Sequence, residues 1–191
     1  MTPTSTPATT TTSATTTTTW NIDPAHSAAE FKVKHMMISN VKGRFSGISG
    51  VLNRHESDHT LSTLDVSVDI STVNTNDAQR DGHLKSADFF DVEKFPAMTF
   101  KSTRIEKKGD GFAVTGDLTI HGVTKPVVLN VEEVSEPAKD PWGNMRIGLE
   151  ATGKVNRKDF GLTYNAALET GGVLVGEEVS ITLDVQFVKA A

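Results

Sequence analysis

Val179-Ser180-Ile181-Thr182-Leu183-Asp184-Val185-Gln186-Phe187 alternates apolar and polar side chains without a break over nine positions. Successive side chains of a β-strand point to opposite faces, so this run reads as a strand with one face on a core and one in water. The same period recurs up the chain. Ala29, Phe31, Val33 and His35 share one phase against Glu30, Lys32 and Lys34; Leu64, Val66, Val68 and Ile70 stand against Asp65, Ser67 and Asp69. Further runs carry Phe112, Val114, Leu118 and Ile120, then Val127, Leu129 and Val131, then Ile147, Leu149, Ala151 and Val155. Turn chemistry separates them at Lys108-Gly109-Asp110-Gly111, from Glu136-Pro137 to Gly143-Asn144, and at Gly171-Gly172. The phase reverses between Ile120 and Val127, which predicts a turn or bulge at Gly122. Seven or eight such strands fit an all-β antiparallel sandwich or barrel, and a closed barrel leaves no unpaired edge.

One stretch breaks the period. Between Ser71 and Pro96 helix signals replace it: Asn76 as a cap, Asp77 in the first turn, and Gln79 at capping-box spacing. Gly82 keeps that helix short. Ser86 is expected to cap a second turn bearing Phe89 and Phe90, two aromatics placed to act as a plug or lid on a barrel mouth, and Pro96 holds Phe95 extended.

The 191 residues carry 19 lysines and arginines against 24 aspartates and glutamates, a net charge of −5. That balance argues against a nucleic-acid partner, which requires a basic face. The absence of cysteine excludes disulfides, thiolate metal sites and cysteine nucleophiles. No apolar stretch has the length of a membrane span, so the chain is not read as an integral membrane protein. Residues 1–19 hold twelve threonines and no charge, and are expected to be a disordered tail ahead of one domain over 20–191. That start shows no basic region followed by an apolar one, so the expectation is a cytoplasmic protein.

Motifs for chemistry do not survive their context. His55-Glu56-Ser57-Asp58-His59 matches the H-E-x-x-H zinc pattern, which needs both histidines on one helical face, yet it lies between strand patterns and contains poor helix formers. It reads as a polar hairpin loop, and no metal site is assigned. Asp159-Phe160-Gly161 stands without the other kinase motifs, and no phosphate loop or G-x-S-x-G elbow is present. His35 continues the inward phase, and His83 falls on the expected helix beside Arg80 and Asp81. These could form a polar cluster for a ligand headgroup or be satisfied core and capping groups. His121, on the outward phase, reads as solvated. Arg157 with Asp159, and Arg80 with Asp81, read as surface or rim ion pairs, unless one arginine receives an anionic headgroup. A barrel with this alternation can be packed solid or hold one ligand.

The spaced residues resemble the YceI-like family of lipid- and polyisoprenoid-binding proteins. The resemblance opens with Trp20-x-Ile22-Asp23-x-x-His26-Ser27, Phe31, Val33 and His35, then Val41-x-Gly43-x-Phe45. Its most specific block is Arg80-Asp81-x-His83-Leu84-x-Ser86-x-Asp88-Phe89-Phe90-Asp91. Phe95-Pro96, Gly116-x-Leu118-Thr119-Ile120-x-Gly122-Val123-Thr124-Lys125-Pro126 and Arg157-x-Asp159-Phe160-Gly161-Leu162 follow in order. The resemblance implies an eight-stranded antiparallel lipocalin-like barrel with short helices near the mouth. It also implies a long apolar cavity for an isoprenoid or quinone-like lipid, no cofactor, and a homodimer; many relatives are periplasmic.

The resulting expectation is a non-enzymatic carrier or store of such a lipid. Arg80, His83 and His35 would meet the headgroup, and the lining would draw on Phe31, Val33, Val68, Phe89, Phe90, Phe100, Leu118, Leu149, Phe160 and Leu183. Two alternatives stand beside it. One is an interaction module with a filled core; the other is an enzyme on a lipophilic substrate using His35, His83 or Asp81 as acid–base.

Overall fold

A computed structural model describes residues 16–169 and 171–191. Its strands are β1 (Thr17–Ile22), β2 (Ala28–His35), β3 (Ser39–Phe45), β4 (Ile48–His55), β5 (Thr63–Asp69), β6 (Ala97–Lys108), β7 (Gly111–Ile120), β8 (Val123–Val134), the two-residue β9 (Ala138–Lys139), β10 (Met145–Asn156) and β11 (Val175–Lys189). The amphipathic runs all become strands of one antiparallel sheet. It closes through eight of them in the order β11–β1–β4–β5–β6–β7–β8–β10, with β10 returning to β11 from Arg146↔Val188 to Asn156↔Glu178. The architecture is the eight-stranded antiparallel barrel that the family resemblance implies, one of the two arrangements the alternation allows.

β1 and β2 share one lane along β11. β1 takes its end, Trp20↔Lys189 to Ile22↔Phe187, and β2 takes its beginning, Ala28↔Asp184 to His35↔Val175. A 3-10 turn at Pro24–His26 breaks the lane, capped by the Asp23 side chain, which accepts from the Ala25 amide at 3.0 Å. The neighbouring lane is divided likewise: β4 flanks β1, and β3 flanks β2. The barrel therefore has two ends of different construction. At the far end β1 and β4 close the wall; at the other, the β2–β3 hairpin forms it, and the residues between Ile70 and Pro96 lie across the opening.

That covering stretch holds helix α1 (Ala78–Lys85). Its cap is Asp77, whose carboxylate accepts from the Arg80 amide at 3.0 Å; Asn76 precedes it in the left-handed region at φ 61°. The expected Asn76 cap is thus one residue early. Ser86 both ends α1, its amide donating to the His83 carbonyl at 3.1 Å, and caps the expected second turn. Its hydroxyl accepts from the Asp88 amide at 3.3 Å and its carbonyl from the Phe89 amide at 3.1 Å, with Phe89 and Phe90 in that turn. The phase reversal at Gly122 is a two-residue hairpin turn, with His121 at φ 52° and Gly122 at φ 74°, joining Ile120↔Val123. Positive φ at both central residues matches the twist of the flanking strands.

The sheet also begins earlier than composition suggested. Thr17–Thr19 pair with His55, Arg54 and Asn53 of β4, so only residues before them remain to the expected tail, and 1–15 lie outside the described residues. Among the described residues no helix is long and apolar enough to cross a membrane.

Candidate ligand-binding site

The inward side chains of the barrel do not fill it. A cavity of about 200 Å³ occupies the centre, walled by Phe31 and Val33 of β2, Val68 of β5, Phe100 of β6, Leu118 of β7 and Leu183 of β11. Phe89 and Phe90 close it from above, and Phe160 closes it where β8 and β10 part. Phe31, Val33, Leu118 and Leu183 are only half-buried although they point inward, because they face empty space. Two strand glycines give the rings room. A Cβ on Gly43 would lie 2.4 Å from the Phe31 ring, and one on Gly116 2.4 Å from the Phe100 ring. Glycine inside a strand marks such a close approach.

Two further hollows continue the central one. Toward the far end a cavity of about 100 Å³ shares Ile48, Leu64, Val66, Leu129 and Leu183 with it and adds Leu149. Toward α1 a cavity of about 370 Å³ shares Phe31, Val33, Leu84, Phe89 and Val175, and adds His35, Gln79, Arg80, His83 and Tyr164. The three follow one another along the barrel, apolar below and polar at the mouth. Every residue the sequence reading selected lines one of them: the ten apolar residues line the two inner cavities, and His35, Arg80 and His83 line the mouth.

The polar groups of the mouth are largely committed to one another. Arg80 donates from Nε to Thr75 Oγ1 at 2.8 Å and from Nη2 to the Thr75 carbonyl at 2.9 Å, and its Nη1 lies 3.8 Å from Asp77. Asp81 accepts from the Thr75 amide at 2.8 Å and from its hydroxyl at 2.6 Å. Together they clasp the chain ahead of α1, so Arg80 is no rim ion pair with Asp81. His83 Nε2 donates to Asp88 at 2.8 Å, and its ring meets Phe89 and Tyr164 edge-on at 5.0 and 4.8 Å between centroids. The His35 ring has no hydrogen-bond partner among the described residues.

Arg157 corrects the expectation of a surface or rim ion pair. It is buried, lines the central cavity, and lies against four carbonyl oxygens. Nε donates to Gly176 at 2.8 Å, Nη1 to Leu162 at 2.6 Å and Tyr164 at 2.8 Å, and Nη2 to Val175 at 3.2 Å. Burial pushes its pKa down by penalising the charge. The guanidinium thus ties residues 162–164 to the start of β11 and builds one wall of the mouth. Tyr164 was not singled out from the sequence, because it lies outside any periodic run. His121 is not solvated: it is half-buried, its ring edge-on to Phe95 at 4.7 Å.

The H-E-x-x-H segment is the end of β4 and a loop. His55 Nδ1 accepts from the Asp58 amide at 3.0 Å, and His59 Nδ1 donates to the His55 carbonyl at 3.0 Å. The two rings serve the turn, and the helical face that the zinc motif requires is not formed.

Comparison with known proteins converges on one family. The family model described as the YceI-like domain matches residues 20–187. A UPF0312 protein of Serratia proteamaculans is 38% identical over 165 residues, spanning 86% of this chain and 82% of its own. The crystal structure of the Campylobacter jejuni YceI protein superposes with a TM-score of 0.69 at 34% identity, covering 83% of this chain and 90% of that one. A polyisoprenoid binding domain from Saccharophagus degradans shares the fold, with a TM-score of 0.64 at 16% identity, covering 90% of this chain and 98% of that one. With a matched segment that runs through the whole barrel and a close relative of nearly equal length, the chain belongs to the YceI-like domain family.

Proposed function

We propose that the barrel binds, and so carries or stores, an isoprenoid or similar amphiphilic lipid without converting it chemically. The observation that carries this reading is the connected interior: two apolar cavities in line beneath a polar mouth. An alkyl chain gains about 0.8 kcal/mol for each CH₂ removed from water, so a long tail is held without polar chemistry. The fold shared with a polyisoprenoid binding domain supports the same ligand class.

The mouth narrows the headgroup. Of its two arginines, Arg157 is spent on four carbonyls and Arg80 is bonded to Thr75 with Asp77 beside it. His83 pairs with Asp88, which leaves His35, Gln79 and Tyr164 as the mouth's uncommitted polar side chains. Such a set suits an uncharged polar head, a quinone ring rather than a phosphate. The test is native mass spectrometry of delipidated protein titrated with a long-chain isoprenoid quinone and with a polyprenyl phosphate. One equivalent of quinone should bind, with the phosphate weaker by about tenfold or more, the cost of an unpaired anion at a closed mouth. Phe90→Asp sets a carboxylate in the cavity wall and should lower quinone uptake by a similar factor when read well below its own lowered thermal midpoint, where the barrel is still folded. Uptake of neither lipid would sink the reading and favour an interaction module.

A further inference from the structure

The hairpin joining β2 to β3 turns through Met36-Met37-Ile38, which are 42%, 54% and 79% exposed. Met36 and Met37 adopt φ of 51° and 60°, the left-handed region that a residue with a Cβ enters only at a cost. Turns of this kind ordinarily use asparagine or glycine. Here the strained positions carry large apolar side chains that stay about half exposed.

The outer face of the same hairpin is cationic. Lys32, Lys34, Lys42 and Arg44 are all exposed, and none forms an ion pair among the described residues. Lys32 stands directly opposite Lys42 in the register. Like charges in that position destabilise a sheet, so the fold itself gives no reason for them. Glu30, opposite Arg44, is the one acid on that face of the hairpin. In a chain of net charge −5, four cations gathered on one hairpin are a segregated patch.

Its position gives the patch a purpose. His35, the last residue of β2, lines the mouth of the cavity run, and the Met36 amide donates to the carbonyl of Leu174, another mouth residue, at 2.7 Å. The apolar tip and the opening therefore sit side by side.

We propose that this hairpin docks the protein on an anionic lipid bilayer. Met36, Met37 and Ile38 enter the boundary between headgroups and acyl chains, while Lys32, Lys34, Lys42 and Arg44 meet the anionic headgroups. The mouth then opens toward the membrane. A second copy of the chain fits the patch poorly, because a two-fold contact sets the same surface against itself and would oppose cation to cation. The proposal concerns the outer surface and does not depend on what fills the cavity: failure to dock leaves the quinone titration untouched, and the reverse holds too.

The chain has no cysteine, so Ile38→Cys and Leu61→Cys each take a single polarity-sensitive fluorophore. Leu61 is 62% exposed in the turn after β4, at the far end of the barrel. Mixed phosphatidylglycerol–phosphatidylcholine vesicles should blue-shift the dye at position 38 and leave the dye at 61 unchanged. High salt or pure phosphatidylcholine should abolish the shift. The double variant Lys32→Gln with Lys42→Gln should lower partitioning about 25-fold, from about fivefold per cation near an anionic surface. No shift at position 38, equal shifts at both positions, or binding indifferent to lipid charge would each overturn the proposal. So would a dimer that dissociates on Met37→Ser with Ile38→Ser while vesicle binding is absent. The labelled proteins keep all four cations, so the dye comparison decides even if the lysine variant is unstable.

Discussion

One strand, β11, passes through both ends of the barrel and behaves differently at each. At the far end its inward Phe187 is 1% exposed and packs with Trp20 and Ile147, each 2% exposed. Toward the mouth its inward Val179, Ile181 and Leu183 stay half-buried around open space. The alternation of apolar and polar residues is unbroken across the change. Period sets the direction of a side chain, and its volume against the neighbouring lanes sets whether the interior fills. Two large aromatics plug the far end; toward the mouth the aliphatic Val179, Ile181 and Leu183 and the rings of Phe31 and Phe100 leave open space between them.

The largest effect should come from removing that plug. Trp20→Ala should cost about 3–5 kcal/mol in equilibrium unfolding by urea, because a fully packed site cannot collapse around the hole. Phe31→Ala, at an equivalent inward position beside a void, should cost about half as much or less, since part of its ring already lacks partners. Equal costs would mean the two ends are packed alike and would break the comparison.

Arg157 tests the mouth from another side. Arg157→Met keeps much of the side-chain volume but leaves the carbonyls of Leu162, Tyr164 and Gly176 without its guanidinium, while Val175 keeps only the Asn165 side-chain amide at 2.8 Å. The expected loss is about 2–4 kcal/mol. Hydrogen exchange should then rise over residues 162–176 while the β1–β4 ladder at the far end keeps its protection. Uniform deprotection of the whole barrel would show that the mouth is not a separate unit.

These contrasts explain how far the sequence could be read. Strands β2, β5, β7, β8, β10 and β11 were legible because each inward position repeats at period two, and Phe31, Val33, Val68, Leu118, Leu149 and Leu183 of the lining lie on that phase; β1, β3, β4 and β6 carry no such unbroken run. The split of β1 and β2 along β11 was not, because Pro24–His26 gives only a local turn signal and pairing partners leave no mark in one chain. Arg157 was misread as superficial because charge predicts exposure, and nothing local announces four carbonyls converging from residues up to nineteen positions away. His121 was misread because outward phase does not report that Phe95 folds back over the hairpin turn. Arg80 was legible as a mouth residue, but its commitment to Thr75 depends on the turn between β5 and α1 that only the tertiary structure defines.

The smallest effect expected lies in the polar clasp outside the far end. Arg146, at the start of β10, donates to Asp23 beside the Pro24 turn and, at 2.7 Å, to Asp140 in the β9–β10 loop. The Arg146 bond is the chief cause, with His26 next, that lowers the Asp23 pKa to about 2; Asp140 is held well below the usual carboxylate range by the same guanidinium. A carboxyl whose pKa is lower folded than unfolded binds fewer protons in the native state. Its stabilisation is therefore complete above the unfolded value of about 4 and is lost as the pH falls through about 2. Urea unfolding across that window should show wild type losing stability more steeply than Arg146→Met, whose two carboxyls return toward ordinary values. The variant should start less stable at neutral pH and converge with wild type in acid. Parallel curves would show that the clasp contributes nothing, leaving the aromatic plug of Trp20 and Phe187 to hold the far end closed by packing alone.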